Sequence, residues 1–179
     1  LAQADLSSIF WTFLFGMLWG VGGLTFGLTL RYLGIGLGYC LVLGISAVLG
    51  TLVPPLFSGE LFNIVKTTSG QVLLLGVFIC LSGIALSGKS GIRKEKELSE
   101  NKEIVDSSEF GFIKGALIAL FSGIMSSFMA YAFVAGKPIA DLTVEFGGPS
   151  LWQNLPVLIV VLAGGFVTNL IWCAILSYR

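Results

Sequence analysis

Residues 10–57 read FWTFLFGMLWGVGGLTFGLTLRYLGIGLGYCLVLGISAVLGTLVPPLF, and Arg31 is the one charged residue among them. As a single helix this stretch would be about 72 Å long, more than twice the thickness of the hydrocarbon core of a bilayer. The chain must therefore turn back within it. Arg31-Tyr32-Leu33-Gly34 is the natural turn, because an arginine can reach lipid headgroups and the glycine loosens the backbone. We interpret Arg31 as the end of one membrane-spanning helix, with the next helix starting just after it.

The composition of the whole chain points to the same class of protein. Of the 179 residues, 55% are hydrophobic and 11% are charged, whereas soluble domains carry about 25% charged residues. Ten basic residues balance ten acidic ones, so no nucleic-acid partner is indicated. Cys40, Cys80 and Cys173 each stand alone in an apolar segment, as small buried residues do. We therefore expect an all-α polytopic membrane protein without a metal site or cofactor.

Five apolar segments are long enough to be transmembrane helices. They cover about residues 8–31, 34–57, 71–87, 111–136 and 155–178. Pro54-Pro55 is expected to end the second helix, because proline cannot donate a helical hydrogen bond. Pro149 and Pro156 bracket the start of the fifth.

Residues 88–110, GKSGIRKEKELSENKEIVDSSEF, differ in kind, since they carry five basic and six acidic residues. We interpret them as a charged, exposed cytoplasmic loop between three transmembrane helices in residues 1–87 and two in residues 111–179. Lysine and arginine concentrate in cytoplasmic loops. With this loop inside, eight cations lie on the cytoplasmic side, and only Lys66 and Lys137 lie outside.

Glycine pairs with GxxxG spacing recur inside the predicted helices. They are Gly16/Gly20, Gly23/Gly27 and Gly34/Gly38. Small residues let helices approach closely, so helix packing is the simplest interpretation. Helices that touch and slide would also suit a transporter with alternating access.

Several short motifs, spread along nearly the whole chain, are similar to those of a known protein family. They are Trp19-Gly20, Gly27-Leu28-Thr29, Arg31-Tyr32-Leu33-Gly34, Gly50-Thr51-Leu52, LLLGV at 73–77, SGIMS at 122–126, GKP at 136–138 and GGFVTN at 164–169. In this order they resemble the L-rhamnose–proton symporter family of the drug/metabolite transporter superfamily. The resemblance implies a secondary active transporter, not an enzyme, that takes up L-rhamnose or a related sugar with protons across a bacterial inner membrane.

The resemblance also implies an architecture of ten helices in two inverted halves. The matched motifs correspond to about helices three to seven. The chain begins with Leu1 rather than methionine, so we expect a fragment. Its partners would be the sugar, the proton, the lipid bilayer and the missing helices.

Hydroxyl, amide and aromatic side chains inside the spans are the candidates for sugar binding. They are Trp19, Thr25, Tyr39, Ser122, Ser126 and Asn169. Four of them have a plainer alternative. Trp19 can pack between helices, Thr25 can bond its own backbone, Tyr39 can be interfacial, and Asn169 can bond another helix. In the superfamily, helices three, four and six tend to line the cavity, and this favours Trp19, Thr25, Tyr39 and Ser126 over Asn169.

Gate or coupling residues are expected near the span ends, because the predicted spans contain no His, Asp or Glu. Arg31 is a candidate for the inner gate. In KPIADLTVE (137–145), the residues Lys137, Asp141 and Glu145 would share one helical face, where Lys137 could pair with Asp141. This segment is either an outer gate or proton access route, or a solvated interfacial turn. The proton site itself is expected in the missing helices.

Two other functions remain open from the residues alone. One is a metabolite exporter or carrier of the same superfamily, and the other is a membrane subunit that does not transport. An intramembrane enzyme is poorly supported, because the sequence has no histidine and no GxSxG motif.

Overall fold

The computed structural model describes residues 4–59, 61–100 and 111–178. Within these ranges the chain is helical and contains no strand, so the all-α prediction is confirmed. Five stretches are long and apolar enough to cross a membrane. The described helices are α1 (Leu6–Leu33), α2 (Ile35–Ser58), α3 (Leu61–Lys66), α4 (Thr68–Glu100), α5 (Phe112–Ala135), α6 (Lys137–Glu145) and α7 (Leu155–Ser177), with a 3-10 turn at Ser150–Trp152.

The turn between α1 and α2 lies where the sequence predicts it. Arg31 is in the last turn of α1, and Gly34 is the single residue between the two helices. Gly34 has φ 77°, a left-handed conformation that glycine adopts without steric cost. A residue with a side chain would be strained here, so the glycine allows the abrupt reversal.

The prediction that Pro54-Pro55 ends the second helix is wrong. Both prolines lie inside α2, which continues to Ser58 and ends at Gly59. The fixed φ of proline is compatible with a helix, so the cost is limited to missing hydrogen bonds and local crowding. Gly59 then stops the helix with φ 74°, and its N–H donates to the carbonyl of Pro55.

The charged segment after the third span is also more regular than predicted. The helix expected to end at Ser87 continues as α4 to Glu100, so residues 88–100 are helical rather than a loop. Lysine, arginine and glutamate are good helix formers, and Arg93 pairs with Glu97 one turn later at 3.0 Å. Residues 101–110 lie outside the described residues, so the remainder of the loop stays a prediction.

The chain divides into two compact units. The first unit consists of Leu1–Val21 and Met125–Arg179, and the second of Gly22–Ile124. The core of the first unit contains Ala132, Ile139, Ala140, Val157 and Val161. The core of the second contains Leu33, Leu41, Val42 and Ala119. Each unit has its own share of the predicted site residues.

Candidate functional site

In the first unit, glycines let the first half of α1 lie directly against α7. A Cβ atom added to Gly16 would collide with the backbone of Val161, and one added to Gly164 would collide with the carbonyl of Phe13. Gly16 and Gly164 therefore serve helix packing, as the spacing predicts. Gly23 has open space around its Cβ position, so GxxxG spacing alone does not identify a contact.

Polar groups of α7 reinforce this contact or bond within their own helix. The hydroxyl of Thr168 donates to the carbonyl of Met17 on α1 at 3.0 Å. The sequence interpretation missed Thr168, although it follows Gly164 by one helical turn on the same face. Asn169 donates from Nδ2 to the carbonyl of Gly165 at 2.8 Å. The amide thus bonds its own helix, an option that the sequence interpretation did not consider.

Trp19 packs against α7. Its ring atom Cζ3 lies 3.0 Å from the position where a Cβ on Gly165 would be, and the half-buried side chain also borders the apolar core of the unit. The ring therefore fills the space left by the missing side chain of Gly165. Ser126, the other candidate in this unit besides Asn169, is half-buried on α5.

Thr12 is a second residue that the sequence interpretation missed. It is fully buried, and its hydroxyl makes no hydrogen bond to any described residue. The oxygen lies 3.2 Å from the Cβ position of Gly136, at the start of the GKP motif. A buried hydroxyl without a partner is unfavourable by about 1–3 kcal/mol. In the sequence, Thr12 is only a single polar residue in an apolar run. That pattern does not distinguish Thr12 from the other threonines of the spans.

In the second unit, two predicted residues meet at one backbone carbonyl. The fully buried Ser122 of α5 donates to the carbonyl of Gly22 on α1 at 2.9 Å. Thr25 donates to the same oxygen at 3.1 Å, and Thr29 donates to the carbonyl of Thr25 at 3.1 Å. Thr25 and Ser122 thus lie within hydrogen-bonding distance of one acceptor, and each forms a bond that also suits a purely structural role.

Tyr39 and Arg31 lie nearer the ends of their helices in the same unit. The ring of Tyr39 is 44% exposed and meets Phe26 edge to face, with 4.8 Å between ring centroids. Arg31 is exposed in the last turn of α1. These positions agree with an interfacial location for both side chains.

The KPIADLTVE segment forms the short helix α6, with Pro138 in its first turn. Ile139 and Ala140 are buried, whereas Lys137, Asp141 and Glu145 are exposed. Within this described segment no ion pair joins Lys137 to Asp141, so the expected pair is not formed. The three charges form a solvent-facing side of a short amphipathic helix.

A cavity of about 200 Å³ lies between α2 and α4 in the second unit. It is lined by Ala47, Val48, Thr51, Leu73, Gly76, Val77 and Cys80. Thr51 and Cys80 are the polar side chains of this lining, and the thiol of Cys80 already faces the carbonyl of Gly44 at 3.6 Å. A sugar requires several hydrogen-bonding groups, and this lining offers only the side chains of Thr51 and Cys80, so the proposed sugar contacts are sought elsewhere.

Comparison with known proteins settles the family. The sequence matches the profile of the family described as L-rhamnose-proton symport protein (RhaT) over residues 1–178. The chain belongs to this symport protein family. Curated proteins named L-rhamnose-proton symporter from Salmonella paratyphi B, Salmonella newport and Salmonella schwarzengrund are each 36% identical to it over 173 residues. The aligned part is 97% of this chain and 49% of each relative.

The chain thus spans about half the length of the curated relatives it matches. No solved structure shows a significant match. The resemblance predicted from the motifs is confirmed, and the name of the symport protein family describes a transporter rather than an enzyme. Within the GGFVTN stretch at 164–169, Gly164 and Thr168 make the contact with α1.

Proposed function

We propose that the protein is a secondary active transporter that takes up L-rhamnose, or a closely related sugar, together with protons. The observation that carries the proposal is the family match over residues 1–178, on a chain with five stretches suited to spanning a membrane. The curated relatives are about twice as long as this chain. This ratio supports the ten-helix inverted-repeat architecture, in which five helices would form half of the transporter.

We further propose that the chain is a multi-pass protein of a bacterial inner membrane, with residues 88–110 in the cytoplasm. The support is the distribution of lysine and arginine. Only Lys66 and Lys137 would lie outside, and the remaining cations would lie inside. Both Lys66, at the end of α3, and Lys137, at the start of α6, are exposed.

Hydroxyl groups and aromatic rings are the proposed sugar contacts. The strongest pair is Thr25 with Ser122, because both hydroxyls already lie at the carbonyl of Gly22. A sugar hydroxyl can replace such a bond when two helices move apart. Tyr39 offers an exposed ring beside Phe26. The other proposed contacts are Trp19, Ser126 and Asn169, whose positions in the first unit suit packing at least as well.

The coupling proposal rests on charges at the helix ends. Lys137 and Asp141 are exposed on α6 and are proposed as an outer gate or a proton access route. Arg31, at the opposite end of the predicted topology, is proposed to help hold the inner gate. The predicted spans of this chain contain no His, Asp or Glu, so the proton-carrying group is proposed to be a carboxylate or a histidine in the missing helices.

The test uses the natural full-length protein in de-energised cells that lack other routes for L-rhamnose. L-rhamnose is added in weakly buffered medium, and the external pH is followed alongside uptake of the labelled sugar. We expect external alkalinisation with L-rhamnose and none with mannitol or in cells carrying the empty vector. Uptake without a pH change would contradict proton coupling. Absence of both, with the protein present in the membrane, would favour the carrier or subunit alternatives.

A further inference from the structure

Four helices converge at one end of the second unit. The ring of Phe112, at the start of α5, lies against Gly91 of α4. Leu37, near the start of α2, lies 3.4 Å from the Cβ position of Gly91, and Tyr32, near the end of α1, lies 3.1 Å from that of Gly115. The end of α1, the start of α2, the middle of α4 and the start of α5 are therefore close neighbours.

Three exposed cations belong to this convergence, and we call them the cationic collar. They are Arg31 of α1, Lys89 of α4 and Lys114 of α5. Lys89 lies between the two glycines of α4 that face Phe112, and Arg31 precedes Tyr32. The Nζ atom of Lys114 lies 5.3 Å from the centroid of the Tyr32 ring, a cation–π contact that holds it over α1.

The collar lies where the helices leave their apolar segments. The reversal at Gly34 and the start of α5 at Phe112 mark this level on three helices. On α4 the long apolar run ends just before Lys89. The first acidic residue of α4 is Glu95, six positions later and about 9 Å farther along the axis. Along α4, the charged residue nearest the apolar run is therefore a lysine, and the first acidic residue comes later in the helix.

We propose that the cationic collar binds the phosphate of an anionic phospholipid headgroup. Three exposed cations at headgroup level match a phosphate with a net negative charge, and a zwitterionic headgroup would bring an opposing ammonium group. The Tyr32 ring contributes an aromatic side chain of the kind enriched at membrane interfaces. This lipid site is independent of the sugar and of the direction of transport.

The experiment measures lipid retention by the purified natural full-length protein in detergent with native mass spectrometry. Dioleoyl phosphatidylglycerol and dioleoyl phosphatidylcholine are added at equal concentrations. We expect the wild-type chain to retain phosphatidylglycerol preferentially, and the preference to weaken as salt is raised. In the Lys89→Gln/Lys114→Gln variant we expect binding of phosphatidylglycerol to fall about fivefold for each cation removed, or about 25-fold.

Two control variants separate the collar from net charge and from misfolding. Lys66→Gln/Lys137→Gln removes the same charge elsewhere and should bind phosphatidylglycerol as the wild type does. Lys89→Arg/Lys114→Arg keeps the charge and should retain the preference, with helicity checked by circular dichroism. Equal retention of the two lipids by the wild type would overturn the proposal. Loss of phosphatidylglycerol from the Lys66/Lys137 variant as large as that from the collar variant would overturn it too.

Discussion

The hydroxyl of Ser122 donates a hydrogen bond of 2.9 Å to the carbonyl of Gly22, which lies 100 residues earlier in the chain. Ser122 is fully buried, and Thr25 donates to the same oxygen from within α1 at 3.1 Å. A bond from one helix to the backbone of another in an apolar environment fixes their relative rotation. The carbonyl of Gly22 is therefore a structural anchor. In the sugar contact proposed above, a sugar hydroxyl would take the place of the Ser122 hydroxyl as the donor to this carbonyl.

Ser122→Ala removes the bond between the helices without adding volume. We expect the free energy of unfolding in detergent to fall by about 0.6 kcal/mol, the average for hydrogen bonds between membrane helices, and by no more than about 1.7 kcal/mol, the largest such value. The measurement is thermal or denaturant unfolding followed by circular dichroism. Ser82→Ala is the matched control, because Ser82 is exposed and donates to the carbonyl of Phe78 in its own helix. An effect of equal size in both variants would contradict an anchoring role for Ser122.

Gly164→Ala places a methyl group where α7 touches α1. Its Cβ would collide with the carbonyl of Phe13 and lie 2.9 Å from the amide nitrogen of Met17. Backbone cannot rearrange as a side chain can, so we expect destabilisation of about 1–3 kcal/mol in the same unfolding assay. Gly23→Ala is the control, because its Cβ would meet nothing within 4 Å, and the better helix propensity of alanine should leave stability unchanged or raised. Equal destabilisation by both substitutions would show that space at Gly164 is not the cause.

Ser126→Cys tests whether α5 faces a water-filled path. In a background without Cys40, Cys80 and Cys173, we expect a water-soluble maleimide to label Cys at position 126, and L-rhamnose to slow the reaction. Leu117→Cys is the control, because Leu117 is 63% exposed on an apolar face of α5 and should meet lipid. Failure of position 126 to react, with or without sugar, would count against a cavity there and favour the non-transporting subunit.

Arg31→Leu tests the inner-gate proposal. The substitution removes a charge from the turn between α1 and α2, so we expect a larger fraction of inverted chains, or weaker sugar-induced alkalinisation in correctly inserted ones. Orientation is measured by labelling of single cysteines from either side, and coupling by the pH assay. Arg31→Lys keeps the charge and should behave like the wild type. If Arg31→Leu has the same orientation and the same sugar-induced alkalinisation as the wild type, Arg31 does not hold the inner gate.

Lys137→Ala tests the proposed outer gate on α6. Because Lys137 is exposed, its removal should leave the free energy of unfolding nearly unchanged while it lowers L-rhamnose uptake and alters the dependence of uptake on pH. Lys66→Ala removes an exposed cation on the same predicted side and serves as the control. Wild-type uptake by Lys137→Ala at every pH would leave only the interfacial role for this segment.

Much of the fold could be predicted from the sequence because its signals are local. The reversal at Gly34 needs only the length of the apolar run and a glycine at the required φ. The charges of 137–145 are spaced one helical turn apart, which fits the helix α6, but the spacing alone left a solvated turn open. The extension of α4 to Glu100 is not predicted from the sequence, because the many charged residues after Ser87 suggest a loop. Lysine and glutamate nevertheless favour helices, and residues 88–100 are helical.

The site could be predicted only in part, because a hydroxyl's role depends on its neighbours rather than on its own position. Thr25 and Ser122 were named separately from sequence, and only the fold brings both to the carbonyl of Gly22. Thr12 and Thr168 have the same local sequence character as Thr25. The three threonines differ in how far each hydroxyl lies from the nearest polar atom of another residue. That distance cannot be read from the spacing of residues in the sequence.

The two prolines within α2 remove backbone N–H donors from the end of that helix. Proline carries no amide hydrogen, so Pro54 and Pro55 cannot donate to the carbonyls of Gly50 and Thr51. These two oxygens must take a donor from water, a side chain or a neighbouring helix, because a bare carbonyl in hydrocarbon is unfavourable by several kcal/mol. The end of α2 therefore contains two main-chain acceptors without their usual helical donors, in a segment whose side chains are almost all apolar.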